Sequence, residues 1–213
     1  MKKFLVAIVA VLFAAPSFAQ ISSGGFSLTE STVYYGMRMG LNVANLTGDT
    51  EINGANFSGA NAGLNLAGVL GLRISDSTPI FLESGLYFTQ RGAKKDKNTY
   101  ANLNYLEIPV LLKYGIQATD EIAVLPFIGP TFSMGIAGKM KSEGTDKESS
   151  FASDNFNRLD AGIKFGCGAE YNKLYLEMGY QFGLSNIADW KVNATDDASV
   201  HNGAFFVNLG VNF

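Results

Sequence analysis

Residues 204–213 alternate strictly between two kinds of side chain. Phe205, Val207, Leu209, Val211 and Phe213 fall on one face, and Ala204, Phe206, Asn208, Gly210 and Asn212 on the other. Alternation with one apolar face is the signature of a half-buried strand. The same period recurs upstream and predicts strands over about 32–43, 63–75, 80–91, 103–116, 122–135, 159–169 and 174–184. In the first of them Tyr35, Met37, Met39, Leu41 and Val43 oppose Tyr34, Gly36, Arg38, Gly40 and Asn42. The fifth carries Pro126 and Pro130, which have no ladder donor, so a bulge or a locally broken ladder is expected there.

The connections fall into two classes. Those over 76–79, 118–121 and 172–173 are short; those over 44–62, 92–102, 136–157 and 186–203 are longer and polar. Short turns on one rim and long loops on the other, joined by strands of about ten residues, form the pattern of an outer-membrane barrel. Such strands are long enough to cross hydrocarbon when tilted, and backbone groups in lipid must be paired internally, which forces closure. The soluble alternative is an eight-stranded lipocalin-like barrel with its apolar face inward.

Two features favour the polar face as the inside. It is rich in glycine, including Gly36, Gly40, Gly71, Gly85, Gly166, Gly168 and Gly210, which suits a narrow lumen and gains nothing on a wet surface. Its charges also balance: Arg38, Arg73, Arg91, Lys113 and Lys164 stand against Glu83, Glu107, Asp160, Glu170 and Glu177. Unpaired charges inside a barrel are costly. The expected fold is therefore all-β, an eight-stranded antiparallel up-and-down transmembrane barrel with a structural polar network in its lumen.

The start of the chain is of another kind. Lys2 and Lys3 precede an apolar run over 4–15, and Ser17-Phe18-Ala19 supplies a small-x-small cleavage site. This reads as a secretory signal peptide over 1–19, followed by a short periplasmic lead over 20–31 and a barrel domain over 32–213. No Cys follows the cleavage site, which argues against a lipid anchor. Charged residues make up only 16% of the 213 residues, below a soluble domain's usual quarter, and no basic run suggests nucleic acid. The single Cys167 can form no internal disulfide.

The stretch 104–114, NYLEIPVLLKY, and the segment 126–130, PFIGP, resemble the outer-membrane β-barrel domain of Bacteroidetes-type bacteria, the PorT-like small porin group. The runs GMRMGLN over 36–42 and GLYFTQRG over 85–92 share in the resemblance. It implies an eight-stranded barrel inserted by the barrel-assembly machinery, which reads the last strand and its aromatic residue, here Phe213. It implies little about activity.

A barrel of eight strands is just wide enough to be filled by side chains, so no open pore is expected. Glu170 and Glu177 become diagonal neighbours across the Asn172-Lys173 turn, but a filled lumen offers them no substrate cleft. Ser199 and His201 share a face only if their segment is extended, and no third group is evident. Asp189, Asp196 and Asp197, or Asp146 with Glu143 and Glu148, lack the spacing of a calcium loop. No catalytic, metal or cofactor site is expected. Tyr35, Tyr114, Tyr171, Tyr180 and Trp190 are expected to face outward as interfacial anchors, and Cys167 to face lipid as a small hydrophobe. The reading is a monomeric, non-enzymatic outer-membrane barrel with periplasmic termini. Its partners would be outer-membrane lipid and, at the loops, other surface proteins. The alternatives are a PorT-like accessory subunit of a secretion complex and a lipid-modifying enzyme with its site at the loop rim.

Overall fold

The computed structural model describes residues 33–52, 55–57, 59–75, 77–95, 99–141, 148–152, 156–190 and 197–213. The signal peptide and lead expected over 1–31 lie outside them. Eight long antiparallel strands dominate: β1 (Val33–Gly48), β2 (Gly59–Arg73), β3 (Ile80–Lys94), β4 (Tyr100–Tyr114), β5 (Ile122–Lys141), β6 (Leu159–Tyr171), β7 (Leu174–Gly183) and β8 (Val200–Asn212). Each pairs with its neighbours in sequence, and β8 pairs with β1 to close the ring.

Closure can be followed residue by residue. Val33 pairs with Leu72, then the path runs through Leu82, Leu112, Ile128, Phe165, Tyr180 and Phe205 to return to β1 at Val43. The return is offset by ten residues, which for eight strands tilts them by about 40° to the barrel axis. At the seam the Phe213 amide donates to the Tyr35 carbonyl at 2.7 Å, and the Tyr35 amide to the Phe213 carbonyl at 3.1 Å.

The two faces sort as the alternation requires. Met39 is 66% exposed and Leu209 62%, whereas Arg38 is 1% exposed and Glu107 0%. Soluble monomers rarely expose apolar patches above a few hundred Å². Here the exposed apolar side chains run right round the barrel, a surface that hydrocarbon must cover. Tyr35, Tyr114 and Tyr171 sit on this face close to the turn rim, as interfacial anchors would. Trp190, expected among them, instead packs inward against the loops, its ring edge-on to Phe156 at 5.3 Å.

The prolines do interrupt the ladder, but they do not bulge it. Pro109↔Thr131 and Leu112↔Ile128 keep one register, with no pairing between β4 and β5 over the residues in between. The bulge lies nearer the loops, where Asn104 pairs with Ala137 and Tyr105 with Gly135. Ile136 is the extra residue, and it and Ala137 are exposed in succession. On the turn rim, Asn172 (φ 46) and Lys173 (φ 73) form the two-residue hairpin turn that matches strand twist.

Candidate functional site

β4 shows how one strand serves both faces. Leu106, Ile108, Val110, Leu112 and Tyr114 point away from the lumen, while Tyr105, Glu107, Leu111 and Lys113 are buried inside it. Glu107 is a hub. It pairs with Arg91 and with Lys164, and it accepts hydrogen bonds from Gln181 Nε2 at 2.8 Å and Ser133 Oγ at 3.1 Å. Arg91 also reaches Asp160 Oδ2 at 3.2 Å, and Asn202 Nδ2 donates to the same oxygen at 2.9 Å.

A second cluster lies nearer the turns, around Glu83. Lys113 Nζ is 2.8 Å from Glu83 Oε1, Arg38 Nη2 is 3.5 Å from Glu83 Oε2, and the Tyr34 hydroxyl donates to Glu83 Oε2 at 2.6 Å. Lys113 Nζ also lies 3.9 Å from Glu177 Oε2 and donates to the Tyr175 hydroxyl at 2.9 Å. The Arg38 guanidinium stacks over the Tyr175 ring at 4.1 Å. Neutral amides extend the network from Glu177: Asn208 Nδ2 donates to Glu177 Oε1 at 2.8 Å, Asn65 Nδ2 to Asn208 Oδ1 at 3.1 Å, and Asn42 Nδ2 to Asn65 Oδ1 at 2.8 Å. Asn212 donates to Glu170 close to the turn rim.

Of the ten charges expected in the lumen, nine are buried there. Arg73 differs: as the last residue of β2 it stands half-buried at the turn rim, its Nε donating to the Ser75 carbonyl at 2.8 Å. Glycines make room for the large inward groups. A Cβ at Gly71 would collide with the Tyr34 ring, and one at Gly168 with the Tyr175 ring. The lumen is thus a packed interior.

Hydrophobic periodicity gave no hint of the loop-side mouth. β1, β3 and β5 run past the apolar belt, to Gly48, Lys94 and Lys141, so the loops are shorter than expected. Above the polar lumen, Phe57, Phe151, Phe156 and Ile187 from three loops pack on Leu46, Leu103, Tyr105 and Val200 from the strands. Asn186 ties this cap together: its Oδ1 accepts from the amides of Ala188 at 3.0 Å and Val200 at 2.8 Å, and its Nδ2 donates to the Ala198 carbonyl at 2.7 Å. The sequence signal was only a few isolated aromatic and aliphatic residues within polar loops.

The candidate catalytic groups are arranged less favourably. Ser199 Oγ and His201 Nε2 lie 3.3 Å apart. His201 Nδ1 is buried with no hydrogen-bond partner among the described residues. Asp49 Oδ2 accepts from the Ser199 amide at 3.0 Å rather than from the imidazole, which has no orienting acid among the described residues. Glu170 and Glu177 face Tyr175 and Gly168 across the β6–β7 hairpin, but both are buried in the network. Among the described residues no group of three or more His, Cys, Asp or Glu side chains could hold a metal. Glu143, Asp146 and Asp196 lie outside the described residues. An external groove of about 300 Å³, with Ile80, Leu112, Tyr114, Pro126 and Ile128 in its walls, is apolar.

No curated protein matches the chain by sequence. Among the solved structures that resemble it are three outer-membrane proteins. Neisserial surface protein A is 16% identical, with 86% of this chain and 98% of that chain covered at a TM-score of 0.51. OprG of Pseudomonas aeruginosa is 13% identical, with 88% and 99% covered at 0.49. Ail of Yersinia pestis is 13% identical, with 86% and 100% covered at 0.44. At such identity only the likeness to Neisserial surface protein A speaks to structure, and it speaks to fold alone. Residues 18–189 match the family described as the outer membrane protein beta-barrel domain. With its closed ring, apolar belt and charge-filled lumen, the chain belongs to that family and is an outer-membrane β-barrel.

Proposed function

We propose that this protein is a non-enzymatic, monomeric outer-membrane barrel that displays a preformed loop surface to partners outside the cell. The observation that carries this reading is the apolar cap. Loops that share a core over a filled lumen have a defined shape, and a mouth closed by Phe57, Phe151 and Phe156 does not suit a conducting pore. In this reading the loop rim faces outward and the turn rim faces the periplasm. The leader is removed after Ala19, and the barrel-assembly machinery engages β8 and Phe213 during insertion. The PorT-like resemblance along β4 would allow a secretion-complex role through the turn rim. Among the described residues no side chain at that rim speaks for it specifically.

Crosslinking in the native membrane tests the proposal. Photoreactive groups at Ser149 and Asp189, in the loops, should capture a partner that groups at Thr119 and Lys173, in the turns, do not. Capture from the turns alone would support the secretion-complex role instead. Loss of a lipid modification upon Ser199→Ala would establish an enzyme.

A further inference from the structure

The outer wall of the barrel is electrically lopsided beyond the apolar belt. Leu66, Phe88, Leu106, Met134 and Leu159 form one paired apolar row across β2–β6. Further toward the loops on this same side, Gly92 pairs with Asn102 and Asn102 with Lys139; in the next row Lys94 pairs with Tyr100 and Tyr100 with Lys141. Directly paired residues share a face, and the intervening Ala93, Ala101 and Met140 are buried, so the three lysines point outward. Lys94 and Lys139 are exposed and Lys141 partly so, and none forms an ion pair among the described residues. On the other side of the barrel, β8 and β1 with the residues just past their ends present His201, Asn45, Thr47, Ser199 and Asp49, with no lysine or arginine.

We propose that this wall of β3–β5 binds the phosphate groups of a phosphorylated glycolipid in the surrounding leaflet. Lys94 and Lys141 flank Tyr100 with backbones about 10 Å apart, and Lys139 lies about 7 Å along β5 from Lys141. The group sits about 13–20 Å along the strands beyond the apolar row, which the tilt reduces to about 10–15 Å along the barrel axis, and lysine stems can lower their ammonium ends toward the head-group layer. A lipid anchored there has its acyl chains against Phe88, Leu106 and Met134 while its phosphates meet three cations. The patch faces sideways from the wall, into the membrane's edge, which favours a lipid over a soluble polyanion. The inference rests on the proposed outward orientation of the loop rim.

The test uses the full barrel in detergent, folded as judged by different gel migration before and after boiling. Wild-type protein should bind vesicles containing diphosphoryl lipid A at least about tenfold more tightly than vesicles of phosphatidylethanolamine alone. The triple variant Lys94→Gln, Lys139→Gln, Lys141→Gln should lose that preference, and Lys173→Gln at the opposite rim should keep it. Inorganic phosphate and a soluble sulfated polysaccharide should not compete. An unchanged preference in the triple variant overturns the proposal, and so does full competition by the polysaccharide. Surface labelling of Ser149→Cys on intact cells, in a Cys167→Ala background, tests the orientation separately. No labelling there defeats the orientation; labelling without lipid A preference defeats only the lipid site.

Discussion

Glu107 and Phe156 are both hidden from water, at 0% and 2% exposure, yet the two parts of the interior they occupy are held by opposite chemistry. Around Glu107 every stabilising contact has a polar partner: Arg91, Lys164, Gln181 and Ser133. Around Phe156 the contacts are apolar and come from loops as well as strands. A buried charge network fails abruptly, because removing one member leaves the others uncompensated in a low-dielectric interior. An apolar cap fails gradually, because neighbouring side chains and loops relax into the gap. The barrel thus keeps its sharpest dependence in the lumen and its adaptability at the mouth.

The largest effect should follow from Glu107→Gln, which leaves Lys164 without its carboxylate partner and Arg91 with Asp160 alone. We expect about 3–5 kcal/mol of destabilisation, read from urea unfolding in lipid vesicles. Met178→Arg, on the lipid-facing side of β7, should cost about 2–4 kcal/mol in the same assay. A smaller cost there would mean that this face does not meet hydrocarbon. Phe156→Ala should cost about 2 kcal/mol, less than in a rigid core, because the loops can open locally. It should speed protease cleavage of the loops while leaving the heat-dependent gel shift intact. Loss of that shift would show that cap and lumen fold as one unit. Ser199→Ala should change stability by less than about 0.5 kcal/mol.

The contrast also explains what could be read in the sequence. All eight strands and the inward placement of Arg38, Glu83, Glu107 and Lys113 follow from period-two alternation, because a strand between lipid and lumen has two unlike faces. Past the belt that difference fades. In Gly59-Ala60-Asn61-Ala62 neither face is strongly apolar, yet these residues continue β2, so the ladder outlasts the pattern that announces it. The cap was hidden for a related reason: Phe57, Phe156 and Ile187 meet only in three dimensions and share no period. Trp190 departs from the expected interfacial position because an isolated loop aromatic reads alike at an interface and in a small core. Alternation groups Arg73 with the lumen charges, but it does not say where the lumen ends.

The central claim is that the inward charges are held in coupled clusters within the barrel, one of them built on Glu107. A double-mutant cycle between Glu107→Gln and Lys164→Gln tests it most directly, with unfolding free energies measured in lipid vesicles. The account predicts a coupling of about 2 kcal/mol or more, the double variant being less destabilised than the two single effects together. Additivity to within about 0.5 kcal/mol would contradict it, because the two side chains would then be independent and the lumen would not be the network described.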